Sequence, residues 1–373
     1  MKRNPNYWDK ESYSGKHSSN FNQIRFIFYT EQSILAEKLK KGDIDLYQVG
    51  VARKWHQDFT AEEVDAIAKN HIVRQRVYNN MPNGIGGWAF NLREEPFNDI
   101  RIRKAIRYLI NREKMMSRLF FNEYKYKDSF FPNSPYENPD NEKIRFDPDQ
   151  AIMLLEEAGW YQDSLNDEGY LVKDGEVFEL DLSMVGDDAR VETILQEDFR
   201  AVGIKLNLKQ VTWATFMKEG NERLFKIKSQ NWSGGVFPSP YYMFHSKFAD
   251  PNNTNNIFGV KDPKIDELTE AELYEFDINK RIEILRELDK HMSDMHLIAF
   301  NWYADNLRLL YWNKFGTPEF VLGKFQRSAE DAAMAYWWYD VEQAYKLDKA
   351  KVTGEKLKPR PAEVRYWEKR AEK

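Results

Sequence analysis

Two stretches place flat aromatic rings beside short polar side chains and glycine: Asn231-Trp232-Ser233-Gly234-Gly235-Val236-Phe237-Pro238-Ser239-Pro240-Tyr241-Tyr242 and Phe300-Asn301-Trp302-Tyr303-Ala304-Asp305-Asn306-Leu307-Arg308. A binding cleft needs apolar platforms with a few donors and acceptors that fix orientation, and both stretches have that composition. The same rings serve equally well to seal a core, with the glycines only turning the chain. Composition leaves the two readings level.

Catalytic chemistry has less to stand on. The sequence has no G-x-S-x-G elbow, Walker loop, G-x-G-x-x-G after a strand or H-E-x-x-H helix. The six histidines are scattered, and His291 and His296 fall on different helical faces, which argues against zinc. The adjacent acids Glu156-Glu157 and Asp187-Asp188 suggest a glycosidase pair only weakly, because neighbouring carboxylates usually form a solvated face. The acidic turns within 163–177 miss the EF-hand spacing at Leu165 and lack its closing Glu, so calcium is rejected there. No cofactor is expected.

The 373 residues include no cysteine, which excludes disulfides and thiolate metal sites. Basic and acidic residues number 55 and 60 and are spread along the chain, so no basic stripe points to nucleic acid. Apolar stretches such as 297–300 are too short to span a bilayer. Rings are abundant, with 11 Trp, 20 Tyr and 24 Phe; the surplus favours a protein that encloses a ligand.

The elements that must position these residues follow from periodicity. Alternation predicts strands over 23–30, 44–49, 73–78, 87–91, 180–185, 205–211 and 225–230, and an aromatic strand pair within 297–312. Helical spacing predicts helices over 33–41 (stopped by Gly42), 61–69, 99–110 (capped by Asp99), 112–120, 147–158 (capped by Asp147, with Pro148 in its first turn), 189–202, 265–274 and 280–292. Residues 23–49 read as a βαβ-like unit, and 163–177 as a hairpin. The turn Met81-Pro82-Asn83-Gly84 suits a crossing between lobes. After Asp331 the chain reads as an aromatic helix, then a charged tail frayed beyond Lys351.

Several blocks resemble the family-5 solute-binding proteins of ABC importers. Arg3-Asn4-Pro5-Asn6-Tyr7-Trp8 is similar to the family's R-N-P-x-Y-W segment. Phe90-Asn91-Leu92-Arg93, Pro96-Phe97-Asn98-Asp99, Arg101-Ile102-Arg103-Lys104-Ala105 and Ile110-Asn111-Arg112-Glu113 resemble its F-N-x-x-x-P-F-x-D-x-R-V-R-x-A and I-D-R-E block. Asp147-Pro148 through Ala158-Gly159 resembles its D-P-x-x-A-x-x-L-L-x-x-A-G helix, and Asn301-Trp302-Tyr303 with 311–316 its long, microcin-peptide-receptor-like branch.

The resemblance implies an α/β, two-lobed periplasmic-binding-protein type II fold (Venus flytrap) with part of lobe 1 missing, since R-N-P-x-Y-W lies well inside the mature family chain. It implies 1–85 as the remaining part of lobe 1, 86–300 as lobe 2 and 301–373 as a return to lobe 1. It implies a periplasmic or extracellular binder of a peptide or peptide-like solute, monomeric, not membrane-spanning, partnered by a permease and an ATPase and not an enzyme. Expected ligand contacts are Trp232, Ser233, Gly235, Tyr241, Asn301, Trp302, Tyr303, Asp305 and Arg308, with Trp88 and Asn91 near the crossover. Many peptide receptors carry an Asp for the ligand's ammonium about where Gly235 stands, and Asp305 is the candidate replacement. The alternatives are a carboxylate enzyme such as a glycoside hydrolase, or a receptor for a sugar or metal chelate.

Overall fold

A computed structural model describes residues 1–29 and 32–371. The chain divides into two units, Met1–Met81 with Ala304–Lys373 and Pro82–Tyr303, where the sequence expectation put its boundaries after residues 85 and 300.

The first unit is built on a four-stranded sheet in the order Leu46–Gln48, Asn306–Trp312, Ile72–Tyr78, Glu363–Val364, antiparallel except for the last pair. Strand residues alternate between faces, so the apolar run 309–312 is buried on both. Leu310 and Trp312 join one cluster with Leu39, Trp55, Phe59 and Leu347. Leu309 and Tyr311 join the other with Phe315, Leu322 and Trp337. The helix Gln32–Lys41 ends where expected: Gly42 adopts φ +82° and donates to the Leu39 carbonyl, while Asp43 N–H reaches back to Lys38. This double return leaves few helix carbonyls without a partner.

Several expectations for this unit are corrected. Residues 24–29 form no strand; Gln23 makes only an isolated bridge to Lys2, and Thr30 lies outside the described residues. The alternation is present, but no described strand completes its ladder, and Phe28 is exposed. The βαβ unit therefore lacks its first strand, and Leu46–Gln48 pairs antiparallel instead. The 61–69 helix shrinks to Asp65–Ala68. The tail is ordered well beyond Lys351. The helix Val341–Thr353 stops at Gly354 (φ +74°), and the chain then runs along the sheet. There His71 Nε2 meets the Glu355 carbonyl (2.8 Å), and Gln75 donates to Pro361 (2.7 Å). Charge alone misleads here, because the tail is held through its backbone.

The second unit centres on a three-stranded antiparallel sheet, Ile298–Phe300, Gly86–Phe90 and Ile227–Asn231. Its faces separate two cores: Trp88, Phe90 and Ala299 pack on one side, Ile85, Ala89, Ile298 and Phe300 on the other. A parallel pair, Glu179–Met184 and Lys205–Gln210, is joined by the helix Arg190–Arg200. The caps act as the sequence implies: Asp99 accepts from Arg101 N–H (2.9 Å) and Asp147 from Gln150 N–H (3.0 Å). The expected strand pair in 297–312 is instead three strands in three sheets: Ile298–Phe300 joins Gly86–Phe90, Trp302–Tyr303 joins Lys125–Tyr126, and Asn306–Trp312 enters the first unit's sheet. A polar break at Asn301 and another at Ala304-Asp305 let the chain change sheets.

Candidate functional site

The end of the second unit's sheet carries a recess of about 230 Å³, walled by Phe131, Tyr136, Trp232, Phe237 and Met243, with Ser134 and Ser239 also in its lining. Two backbone segments make its floor. Trp232 N–H donates to the Ile85 carbonyl (2.8 Å), and Asn83 N–H to Pro132 (3.2 Å). They approach so closely that a Cβ at Gly84 would lie 1.6 Å from the Trp232 carbonyl oxygen, and one at Gly234 would lie 2.3 Å from that of Pro82. Only glycine fits at either position. Tyr136 OH donates to the Val236 carbonyl (2.9 Å) and Arg281 to that of Pro238 (3.3 Å), which hold the far wall. Arg281 is in turn paired with the buried Glu272.

Beside the recess, the sheet's edge ends in a polar cluster. Asn301 Nδ2 donates to Asn231 Oδ1 (3.0 Å), bridging the two strands that flank Gly86. Lys127 is 6 % exposed, and burial pulls its ammonium down to about 8.

The sequence-expected contacts divide. Trp232, Ser233 and Gly235 line the recess. Gly235 itself is not crowded, its nearest neighbour being 3.6 Å from a would-be Cβ. Tyr241 lies outside the lining, on the short helix Tyr241–Phe244, with its ring against His245 and Phe248. Asn301 stands at the sheet end. Trp302 is half-buried, its ring 4.8 Å from Phe120 and 6.3 Å from Trp88, and Tyr303 pairs in register with Lys125.

Trp88 and Asn91 are enclosed in this structure, correcting their place as ligand contacts. Trp88 belongs to the core, and Asn91 donates to the Arg223 and Phe225 carbonyls (3.3 and 2.9 Å) and accepts from Arg93 (2.8 Å). They start a strand-to-helix block whose polar residues serve backbone groups, which composition cannot distinguish from binding. Asp305 and Arg308 belong to the first unit, where Asp305 accepts from Asn306 Nδ2 (2.8 Å) and Arg308, buried, donates to the Gly50 carbonyl (2.9 Å). Sequence reasoning missed Lys127 and the lining from Pro82 to Ile85; the Pro-Asn-Gly turn was the available signal for the second, and nothing local marks the first.

Asp187 and Asp188 do not form an enclosed dyad: Asp187 accepts from Gln210 (2.6 Å), Asp188 pairs with Arg190, and both are exposed. Among the described residues no group of three or more His, Asp or Glu side chains could hold a metal ion. No helix among them is long and apolar enough to cross a membrane.

Residues 1–255 match the family described as bacterial extracellular solute-binding proteins, family 5 middle. The uncharacterized protein YejA of Escherichia coli is 24% identical over 94% of this chain and 62% of its own length. The probable peptide-binding protein YejA of Agrobacterium fabrum is 22% identical over 90% of this chain and 59% of its own length. The chain thus spans about three fifths of these relatives. The oligopeptide-binding protein AppA of Bacillus subtilis, solved with a nonapeptide, superposes with a TM-score of 0.67 at 20% identity, covering 82% of this chain and 58% of AppA. The fold is therefore of the α/β type II periplasmic-binding-protein class.

Proposed function

The chain belongs to the family-5 bacterial extracellular solute-binding proteins, and from that premise we propose that it is the substrate-binding component of an ABC import system, capturing an extended peptide and delivering it to a membrane permease. The two units are, on this reading, its two lobes, working outside the cytoplasmic membrane in the periplasm or extracellular space.

The observation that carries the proposal is the aromatic-walled recess at the second unit's sheet end, where Trp232 and Phe237 stand beside two backbone segments that pack closely at Gly84 and Gly234. An extended peptide presents unpaired N–H and C=O groups along its length, which main-chain groups of a receptor can meet without reading side chains. Rings beside that backbone supply contact area tolerant of sequence. The bound peptide then shifts the receptor toward a closed state by its preference for that state, and the closed state is what the permease and its ATPase receive.

A thermal-shift screen with peptides, sugars and metal chelates tests this, since a ligand that binds only the folded state raises Tm. The reading predicts stabilisation by peptides. Stabilisation by a sugar or a chelate alone would replace the peptide with that solute, and turnover of a glycoside would overturn the receptor assignment.

A further inference from the structure

The recess floor contains the one Asn-Gly dipeptide of the sequence, Asn83-Gly84. An asparagine followed by glycine is the arrangement most open to attack by its own backbone, because a residue without a Cβ leaves its main-chain nitrogen unscreened. Whether a folded chain permits that attack depends on what holds the two reacting groups, the side-chain amide and the next N–H.

Neither group is held at this position. Asn83 is half-buried, its carboxamide is not sealed from solvent, and it makes no hydrogen bond among the described residues. Gly84 N–H likewise has no acceptor among them. The ties in this segment fall on neighbouring groups: Asn83 N–H donates to the Pro132 carbonyl (3.2 Å), and the Ile85 carbonyl accepts from Trp232 N–H (2.8 Å). Residues 81–85 belong to no helix or strand, so no ladder fixes the torsions between the two groups. Asn166 makes the contrast, since its Oδ1 accepts from Glu168 N–H (3.1 Å) and Tyr170 N–H (2.9 Å), which pin its carboxamide.

We infer that Asn83 is a self-modification site, at which loss of its amide turns the recess floor from neutral to acidic. The Gly84 nitrogen, its proton taken by hydroxide, bonds to Asn83 Cγ; the Cγ–Nδ2 bond breaks, and the amide nitrogen takes a proton from water and leaves as ammonia, giving a cyclic imide. Water then opens either C–N bond of the ring, leaving aspartate or isoaspartate. None of the residues lining the recess is charged, so either product places a carboxylate among rings with no cation in the lining to pair with it. Isoaspartate also routes the main chain through its Cβ, adding a backbone atom where the floor has no room: a Cβ on Gly84 would already lie 1.6 Å from the Trp232 carbonyl oxygen and 2.6 Å from Gly234 N. The modified recess therefore disfavours anionic and apolar solute groups, and its floor loosens. The site itself does not depend on the peptide reading.

The test follows the full chain as it ages, folded, in neutral and in mildly alkaline buffer. Peptide mapping by mass spectrometry tracks each asparagine, and an isoaspartate-specific methyltransferase reports the rearranged product. Asn83 is expected to convert at least about tenfold faster than Asn166, the difference that one missing hydrogen-bond restraint makes to a barrier, and to convert faster in alkali. The aged chain should melt below the fresh one, while Asn83→Asp, which adds the charge without the extra backbone atom, stays closer to the fresh wild type. Asn83→Gln, whose longer side chain closes the ring poorly, should neither convert nor lose stability with age. Conversion at Asn83 no faster than at Asn166, or conversion only in chain unfolded with urea, overturns the site. A chain converted at Asn83 that melts with the fresh one overturns the effect on the floor.

Discussion

Gly84 and Trp232 touch through their main chains so closely that no side chain can be introduced at position 84: its Cβ would fall 1.6 Å from the Trp232 carbonyl oxygen. Because the obstacle is backbone, no rotamer change relieves it. Gly84→Ala is expected to destabilise the second unit by about 1–3 kcal/mol, the range for forced overpacking, and to open the floor of the recess. Gly235→Ala, whose Cβ meets nothing nearer than 3.6 Å, is the matched control, with a change within about 0.5 kcal/mol. Chemical denaturation of the two variants checks the contrast; equal losses would refute the close-approach argument.

Asp289 organises the loop behind the recess. Fully buried, it accepts from Ser129 Oγ (2.8 Å), Phe130 N–H (2.7 Å), Asn138 N–H (2.8 Å) and Asn141 Nδ2 (2.7 Å). Asp289→Ala strands four donors, for an expected loss of about 3 kcal/mol or more. Phe130, Phe131 and Tyr136 follow the same loop into the recess lining, so ligand affinity should fall alongside stability. An unaltered denaturation midpoint would show that the loop is held by other means.

Acid sensitivity should reside partly in His296. Burial, then the charge of Arg107, lowers its pKa from 6.5 to about 3, and Arg107 Nη1 meets its Nδ1 at 2.6 Å. A depressed pKa in the fold means that the neutral ring's contribution is complete above 6.5 and is lost as pH falls toward 3. Asp289 acts in the opposite sense. Burial raises it from 3.8 to about 6, so its contribution is present below 3.8 and lost as pH rises through 6. The two oppose one another between pH 4 and 6, so the wild-type profile alone does not isolate either. The stability difference between wild type and His296→Asn isolates the histidine, Asn being suited to the positive φ (51°) at this position. That difference should shrink from pH 7 to pH 4; a constant difference would contradict the assignment.

What the sequence made legible was chiefly local. Asp99, Asp147 and Gly42 mark helix ends through hydrogen bonds spanning a few residues, and these were readable because cap and capped group are neighbours in the chain. The strand expected over 23–30 failed because alternation says which side chains share a face, not whether a partner strand exists. The tail failed for the converse reason: its charges suggested solvent, while its backbone pairs with Arg76 and Val77, nearly 290 residues away. Within the site, Trp232, Ser233 and Gly235 were visible as a ring-and-glycine composition. Lys127 was not, since its burial depends on Gly86, Asn231 and Asn301 meeting from three separate segments.

The central claim is that this chain binds peptide at the Trp232 recess. Titration calorimetry of the wild type and Trp232→Ala against a tri- to pentapeptide mixture tests it most directly. The account predicts saturable binding by the wild type that weakens at least about tenfold in the variant, as expected on losing an aromatic anchor. Identical affinities, or no binding to a wild type that melts cooperatively, would contradict it.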